Sequence, residues 1–306
     1  MTDYLETTDL GVDGLREVLR LAAASKQDPQ AYAGRLAGRK VGLFFEKPST
    51  RTRVSCEAAT VDLGAHPVVL KADEVGLGKR EAVEDVARVL DRYLDVLAFR
   101  VFDHRHLVTI AAYAEAPVVN LLSDRAHPCQ AAADLQTVAE HRPLEGASVA
   151  YIGDGNNVCH SLMLAGAMVG MEVRVATPAG FEPAAEVTAE ATALATVGGG
   201  GVQVTNDPAA AVAGVDVVYT DVWTSMGQEE EEEEEARRAL FAPFQVDLAL
   251  FSRAAPDAIF LHCLPAHRGE EVTAEVLEHE RSRVFDQAEN RMHSFRGLLL
   301  HLTGTG

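Results

Sequence analysis

The sequence predicts an α/β protein built on parallel sheets. Two observations lead there. Short apolar runs that read as buried strands recur along the chain, and stretches with helical spacing separate them. A chain of 306 residues also exceeds the usual size of one domain, which predicts two domains sharing a crevice. In such sheets ligands gather at the C-terminal ends of the strands, so the residues that follow each strand are the ones to inspect.

The first element is a helix over residues 9–25, where Leu10, Leu15, Val18, Leu19 and Ala22 share a face. Residues 41–45 form a buried strand, and a helix then runs through Ala59. Between them lies Glu46-Lys47-Pro48-Ser49-Thr50-Arg51-Thr52-Arg53. A strand, a turn and a helix start in this order direct free backbone N–H groups and a positive dipole end at the turn. Ser49 alone could be a simple cap. Three hydroxyls with Arg51 and Arg53 exceed what a cap needs, and they point to an oxyanion or phosphate site.

A second strand is expected at 94–99, ending on Arg100, and a third at 117–122. A helix to about Glu140 follows the third. His127 and Gln130 stand three apart at its start, so they either face one ligand or cap the helix. The composition break at 143–148 marks the domain boundary. Beyond it a second series of strands is expected at 149–152, 173–176, 202–205, 215–220 and 259–261.

The turn Gly153-Asp154-Gly155-Asn156-Asn157-Val158 resembles a dinucleotide fingerprint. Val158 replaces its third glycine and the next strand ends on Thr177 rather than an acid, which argues against NAD and leaves Asn157 as a polar group at a helix start. Asp221 closes the strand at 215–220 and either meets a cationic ligand or caps the next helix. The run Glu229 to Glu235 reads as a solvated helix face. The strand at 259–261 runs into His262-Cys263-Leu264-Pro265. A thiol at a strand edge, beside a proline that ends pairing, is placed for chemistry once other strand ends also stop on polar residues. In the last helix, 288–302, Arg291 is in register with Phe295, Leu298, Leu299 and Leu302, so its guanidinium needs a ligand or another domain as partner.

Composition narrows the function. Lysine and arginine total 27 against 46 acidic residues, a net charge of −19. Such a surface repels nucleic acid and anionic membranes, so neither is expected as a partner, and an anionic substrate must enter through a local basic well. Cys56, Cys129, Cys159 and Cys263 form no Cys-x-x-Cys pair, and none of the 11 histidines has metal-ligand spacing. No metal or cofactor is expected, and a reducing compartment is. The amino terminus lacks a signal-peptide pattern and residues 162–171, the most apolar helix candidate, are too short to span a bilayer, so the expected location is the cytoplasm.

The segments Ser49-Thr50-Arg51-Thr52, His127-Pro128-Cys129-Gln130, Gly153-Asp154-Gly155-Asn156-Asn157, Asp221-Val222-Trp223-Thr224-Ser225-Met226-Gly227, His262-Cys263-Leu264-Pro265 and Ala288-Glu289-Asn290-Arg291 closely resemble those of the ornithine carbamoyltransferase family, in its order and spacing. The first is shared by all carbamoyltransferases. The Ser-Met-Gly and His-Cys-Leu-Pro pair points to ornithine rather than an acceptor such as putrescine. The resemblance implies a carbamoyl phosphate domain at 1–142, an ornithine domain at 143–286, and a helix at 287–306 returning to the first domain. It implies a homotrimer with active sites at subunit interfaces. Carbamoyl phosphate would fall to Ser49, Thr50, Arg51, Thr52, Arg100, His127, Gln130, Cys263, Leu264 and Arg291, and ornithine to Asn157, Asp221, Ser225 and Met226. Among these, Cys263, Arg100 and His127 would be catalytic, and the Leu264–Pro265 bond would be cis. One departure stands out. Where the family usually carries glutamine or histidine in a loop lent to the neighbouring subunit, this chain has Gly76, with Lys79 and Arg80 just beyond.

Overall fold

The computed structural model describes residues 2–223 and 231–306. The chain forms two compact units, Met1–Gln136 with Glu289–Gly306, and Thr137–Ala288. It passes from one to the other inside the helices Pro128–Ala139 and Val284–Thr303. The composition break expected to mark the boundary, at 142/143, lies beyond the end of the first of these helices.

The first unit holds β1 (Lys40–Phe45), β2 (His66–Lys71), β3 (Val96–Arg100) and β4 (Val118–Leu122). They form one parallel sheet in the order β2-β1-β3-β4. Successive side chains of a strand point to opposite faces. Val41, Leu43, Val96, Ala98, Val119 and Leu121 therefore share a core with the first helix, Gly11–Gln27, the helix Thr50–Asp62 and the last helix, Val284–Thr303. Phe44, Leu97, Phe99 and Val118 share the opposite core with helices Val83–Asp91 and His104–Tyr113. The end of the chain thus packs on the first unit, through Phe295, Leu298, Leu299 and Leu302. Gly297 makes that approach possible: a Cβ there would stand 2.4 Å from Val18 O and 2.8 Å from Ala22 N.

β2 is a strand that sequence patterning missed. It pairs along an edge of the sheet with Pro67 opposite Val41, and edge strands tolerate a proline that central strands do not. The next strand begins at Val96 rather than 94, and Leu94 is buried ahead of it.

The second unit holds β5 (Ser148–Ile152), β6 (Glu172–Ala176), β7 (Gly201–Thr205), β8 (Val217–Thr220) and β9 (Ile259–His262). All pair in parallel, in the order β7-β6-β5-β8-β9. The helix Asn157–Met168 after β5 is buried along nearly its whole length, as its apolar sequence requires. The last helix starts at Val284, a turn before the expected 288. Glu229 and Glu230 lie outside the described residues, and a helix begins at Glu231. Among the described residues, no helix is long and apolar enough to cross a membrane.

Both sheets have a switch point. In the first, the chain moves outward from β1 to β2 and then returns on the other side as β3; in the second, β5, β6 and β7 run one way and β8 and β9 the other. The C-terminal ends of β1 and β3, and of β5 and β8, are where such sheets open a crevice for ligands.

Candidate active site

At the first switch point, Ser49 caps the helix Thr50–Asp62: its hydroxyl accepts from Thr52 N at 3.3 Å and donates to Thr52 Oγ1 at 3.0 Å. The cap fixes the first turn, whose N–H groups and dipole favour an anion. Thr50 is exposed and Arg51 half-buried on that turn. Arg53, by contrast, is exposed and paired with Glu57 at 2.7 Å.

The Thr52 hydroxyl, buried, gathers two guanidiniums. Arg100, at the end of β3, donates to it from Nη1 at 3.4 Å, and Arg291 from Nη2 at 2.6 Å. Arg291 also donates from Nη1 to Gln130 Oε1 at 2.7 Å, and Gln130 Nε2 donates to Asp134 Oδ1 at 2.8 Å. Arg100 and Arg291 are only 6% and 7% exposed. Two cations withdrawn from water around one neutral hydroxyl make a site whose electrostatics call for an anion.

His127, at the start of the helix Pro128–Ala139, is buried near them. Burial first, then the charges of Arg291 and Arg100, hold its imidazole well below the usual histidine range. It is therefore a neutral ring beside two cations, able to donate a hydrogen bond without adding charge. Lys47 is a group that sequence reasoning passed over. Its ammonium stands 4.2 Å from the Phe102 ring centroid, and burial followed by the Arg100 charge lowers its pKa. Its signal was its place in the turn that leads into Ser49.

At the second switch point, Asp221 follows β8 and is 5% exposed. Its Oδ1 accepts from Cys263 Sγ at 2.9 Å, and its Oδ2 from Asn156 Nδ2 at 3.1 Å. Asn156 is the N-cap of Asn157–Met168, and its Oδ1 accepts from Val158 N and Cys159 N at 2.9 and 3.1 Å. Asn156 thus ties the helix start to Asp221, and Asn157, the next residue, is half-buried at the same helix start. The tandem of asparagines was the signal, and only the cap geometry tells the two apart. Beside them, Asp154 pairs with Arg237 at 2.6 Å. Burial raises the Asp154 carboxyl to about 6 against the pull of Arg237, and the nearby Asp221 charge adds to the rise. Ser225 and Met226 lie outside the described residues.

Cys263 is half-buried, whereas Cys56, Cys129 and Cys159 are buried. Burial pushes the Cys56 thiol up to about 12, which makes it inert. Leu264 follows with φ of 59° and a cis bond to Pro265, the isomer implied by the resemblance. Two groups among the described residues offer metal-ligand atoms within 4.8 Å of one another: Asp221, His262 and Cys263, and His267, Glu270 and Glu271. In the first group, His262 has both ring nitrogens engaged, Nε2 by Glu271 at 3.0 Å and Nδ1 by Leu264 N at 2.8 Å.

The structure therefore gathers Ser49, Thr52, Arg100, His127, Gln130 and Arg291 in the first unit, and Asp221 with Cys263 in the second. The first set suits an oxyanion. The second offers an acid to a cation and a soft thiol beside it.

Residues 2–140 match the family model "Aspartate/ornithine carbamoyltransferase, carbamoyl-P binding domain", and residues 145–302 match "Aspartate/ornithine carbamoyltransferase, Asp/Orn binding domain". The chain is 53% identical over 300 residues to the ornithine carbamoyltransferase of Acidothermus cellulolyticus, covering 98% of this chain and 96% of that one. It is 48% identical over 304 residues to that of Synechocystis, covering 99% and 96%. The solved ornithine carbamoyltransferase from Pyrococcus furiosus superposes with a TM-score of 0.96 at 46% identity, covering 99% and 97% of the two chains. An anion cradle on one parallel sheet, an acid–thiol pair on the other, and matches that run almost from end to end make this chain a member of the aspartate/ornithine carbamoyltransferase family.

Proposed function

We propose that the protein transfers the carbamoyl group of carbamoyl phosphate to the δ-amine of L-ornithine, giving L-citrulline and phosphate, as part of arginine metabolism. The observation that carries the choice of acceptor is the Asp221–Cys263 pair at the switch point of the second sheet, an acid held ready for an amino-acid cation. Carbamoyl phosphate binds at Ser49, Thr50, Arg51, Thr52, Arg100, His127, Gln130 and Arg291, with Cys263 and Leu264. Ornithine binds at Asn157, Asp221, Ser225 and Met226.

Ornithine binds at Asp221 as a cation, and its δ-amine, once it has released a proton to solvent, attacks the carbonyl carbon in its neutral form. A C–N bond forms, and the tetrahedral intermediate collapses as the bond from carbon to the phosphate oxygen breaks. The amine's proton passes to the departing phosphate, which also takes the electron pair of the broken bond. Arg100 and His127 donate to the carbonyl oxygen while its charge grows, the role of an oxyanion hole. The helix-start amides, Arg51 and Arg291 neutralise the phosphate. Asp221 and Cys263 align the amine without a covalent bond to it. Positioned donors and fixed charges suffice for a displacement of this kind.

The family resemblance supports a cytoplasmic homotrimer with active sites at subunit interfaces. Mixed trimers of Arg51→Ala chains and Lys79→Ala/Arg80→Ala chains recover activity if sites are shared, and stay inactive if they are not. The reaction itself is tested by citrulline formation from carbamoyl phosphate and ornithine, with putrescine as the competing acceptor. No turnover with ornithine, or preference for putrescine, overturns the reading.

A further inference from the structure

Next to Cys263 in the chain, His262 forms a buried polar pair with Glu271. His262 and Glu271 are both fully buried, with His262 Nε2 to Glu271 Oε1 at 3.0 Å. The other ring nitrogen, Nδ1, accepts from Leu264 N at 2.8 Å, and Glu271 Oε1 also accepts from His267 N at 2.6 Å. Gln287 Oε1 accepts from His262 N at 2.9 Å. The bonds assign the tautomer: Nδ1 accepts and so carries no proton, and Nε2–H donates to the carboxylate. The two grips, at Leu264 N and at His267 N, bracket Leu264, Pro265 and Ala266, and the first closes a loop from His262 over Cys263.

The bracketed backbone needs holding. Leu264 has φ of 59°, a left-handed conformation that a residue with a side chain keeps only where the surroundings over-determine it. Two apolar side chains of similar volume would fill the same space without removing a carboxylate from water. What the polar pair adds is direction, one acceptor aimed at each end of the segment.

We propose that His262 and Glu271 are positioning residues that fix the Cys263 thiol and the Leu264 backbone for the transfer reaction, a role that rests on the reading of the reaction given above. They act through the segment they hold, and neither contacts a reacting atom.

The cysteines supply a readout that does not depend on turnover. Because Cys56, Cys129 and Cys159 are buried and Cys263 is half-exposed, 4,4′-dithiodipyridine, a neutral disulfide, reports Cys263 on the native protein. Glu271→Gln keeps an acceptor for His262 Nε2 and His267 N; Glu271→Leu keeps none. The Gln variant is expected within about threefold of wild-type kcat. The Leu variant is expected to lose about 10²-fold, in kcat rather than in the ornithine KM, because a displaced reacting geometry costs that much. Its Cys263 should also react several-fold faster, with the circular dichroism of a folded protein. A folded Leu variant with unchanged kcat and thiol rate overturns the proposal, and so does a Gln variant as damaged as the Leu one. If the Leu variant does not fold, His262→Asn decides. It keeps an acceptor for Leu264 N but cannot reach Glu271, so kcat should fall and Cys263 should react faster; wild-type values of both overturn the proposal. If the wild-type protein makes no citrulline, the reaction reading fails, while the thiol rates still test the pair.

Discussion

Asp221→Asn separates the acceptor's charge from the shape of its site. Both carboxylate oxygens are engaged, Oδ1 by Cys263 Sγ at 2.9 Å and Oδ2 by Asn156 Nδ2 at 3.1 Å. In the variant the amide oxygen keeps the Asn156 donor, because two NH2 groups cannot face each other. The amide NH2 then faces the Cys263 sulfur, a weak acceptor. The volume is unchanged and the buried charge is gone, so the fold should be retained. What is lost is a charge-assisted contact to a cation. At about 4 Å and an effective dielectric constant of about 20, the attraction of two unit charges is roughly 4 kcal/mol. Desolvation offsets part of this, leaving about 1.5–3 kcal/mol for a hydrogen bond between charged groups. That corresponds to about tenfold to a hundredfold in ornithine affinity. Calorimetry and steady-state kinetics with each substrate varied would measure it, with thermal melting as the control for folding. Carbamoyl phosphate should bind nearly as it does to wild type. A variant that keeps its ornithine affinity, or loses carbamoyl phosphate instead, refutes the assignment of the two ligands to the two units.

Three further outcomes follow from the first unit. Arg51→Ala should weaken carbamoyl phosphate by roughly 2 kcal/mol, the worth of a charge-assisted bond at a helix start, with an unchanged melting curve; equal affinity by calorimetry removes Arg51 from the site. His127 has its pKa lowered by burial, then by Arg291 and Arg100, so between that lowered value and the unfolded value of about 6.5 the unfolded chain binds the extra proton. Its contribution to stability is therefore complete above about 6.5 and is lost as the pH falls below it, and its imidazole resonance, assigned with His127→Gln, should not titrate near 6.5; a titration there contradicts the burial argument. Gly297→Ala drives a methyl group to 2.4 Å from Val18 O and 2.8 Å from Ala22 N, both backbone atoms, so the first and last helices must separate. Overpacking of this kind costs about 1–3 kcal/mol, readable in a urea midpoint, and a neutral substitution would mean that the helices yield freely.

The central strands were legible because parallel strands covered on both faces read as continuous apolar runs. β1, β3, β4, β5, β8 and β9 have that character, whereas β7, at an edge, has no buried residue. β2 lacks that character too: it carries His66, Pro67 and Lys71, and its residues are at most partly buried. An edge position relaxes the demands that make a strand visible in sequence. The last helix was expected at 288 and begins at Val284, since its first turn carries Asp286 and the exposed Phe285 instead of the apolar stripe that betrays the remainder. The cation on that stripe needed a partner, and the partners are Thr52 and Gln130, which no local pattern could name because they stand far away in the chain.

The site divides along the same physical line. Groups proposed here to face a ligand sit just past strand ends, where an apolar run gives way to arginine, aspartate or a thiol, and that change is written in the sequence. Groups that aim those side chains are set by geometry the sequence leaves implicit. Asn156 and Asn157 have the same chemistry, and one residue of helix phase makes Asn156 the cap and the donor to Asp221. Glu271 reads as one more acid before a helix, beside Glu270. Only the return of the chain after Pro265 puts it against His262, where a carboxylate with no exposure can hold two donors at once. A buried carboxylate is costly unless its bonds are well made, so its place under the Cys263 segment argues that the orientation of that segment, and not burial alone, is what the residue serves.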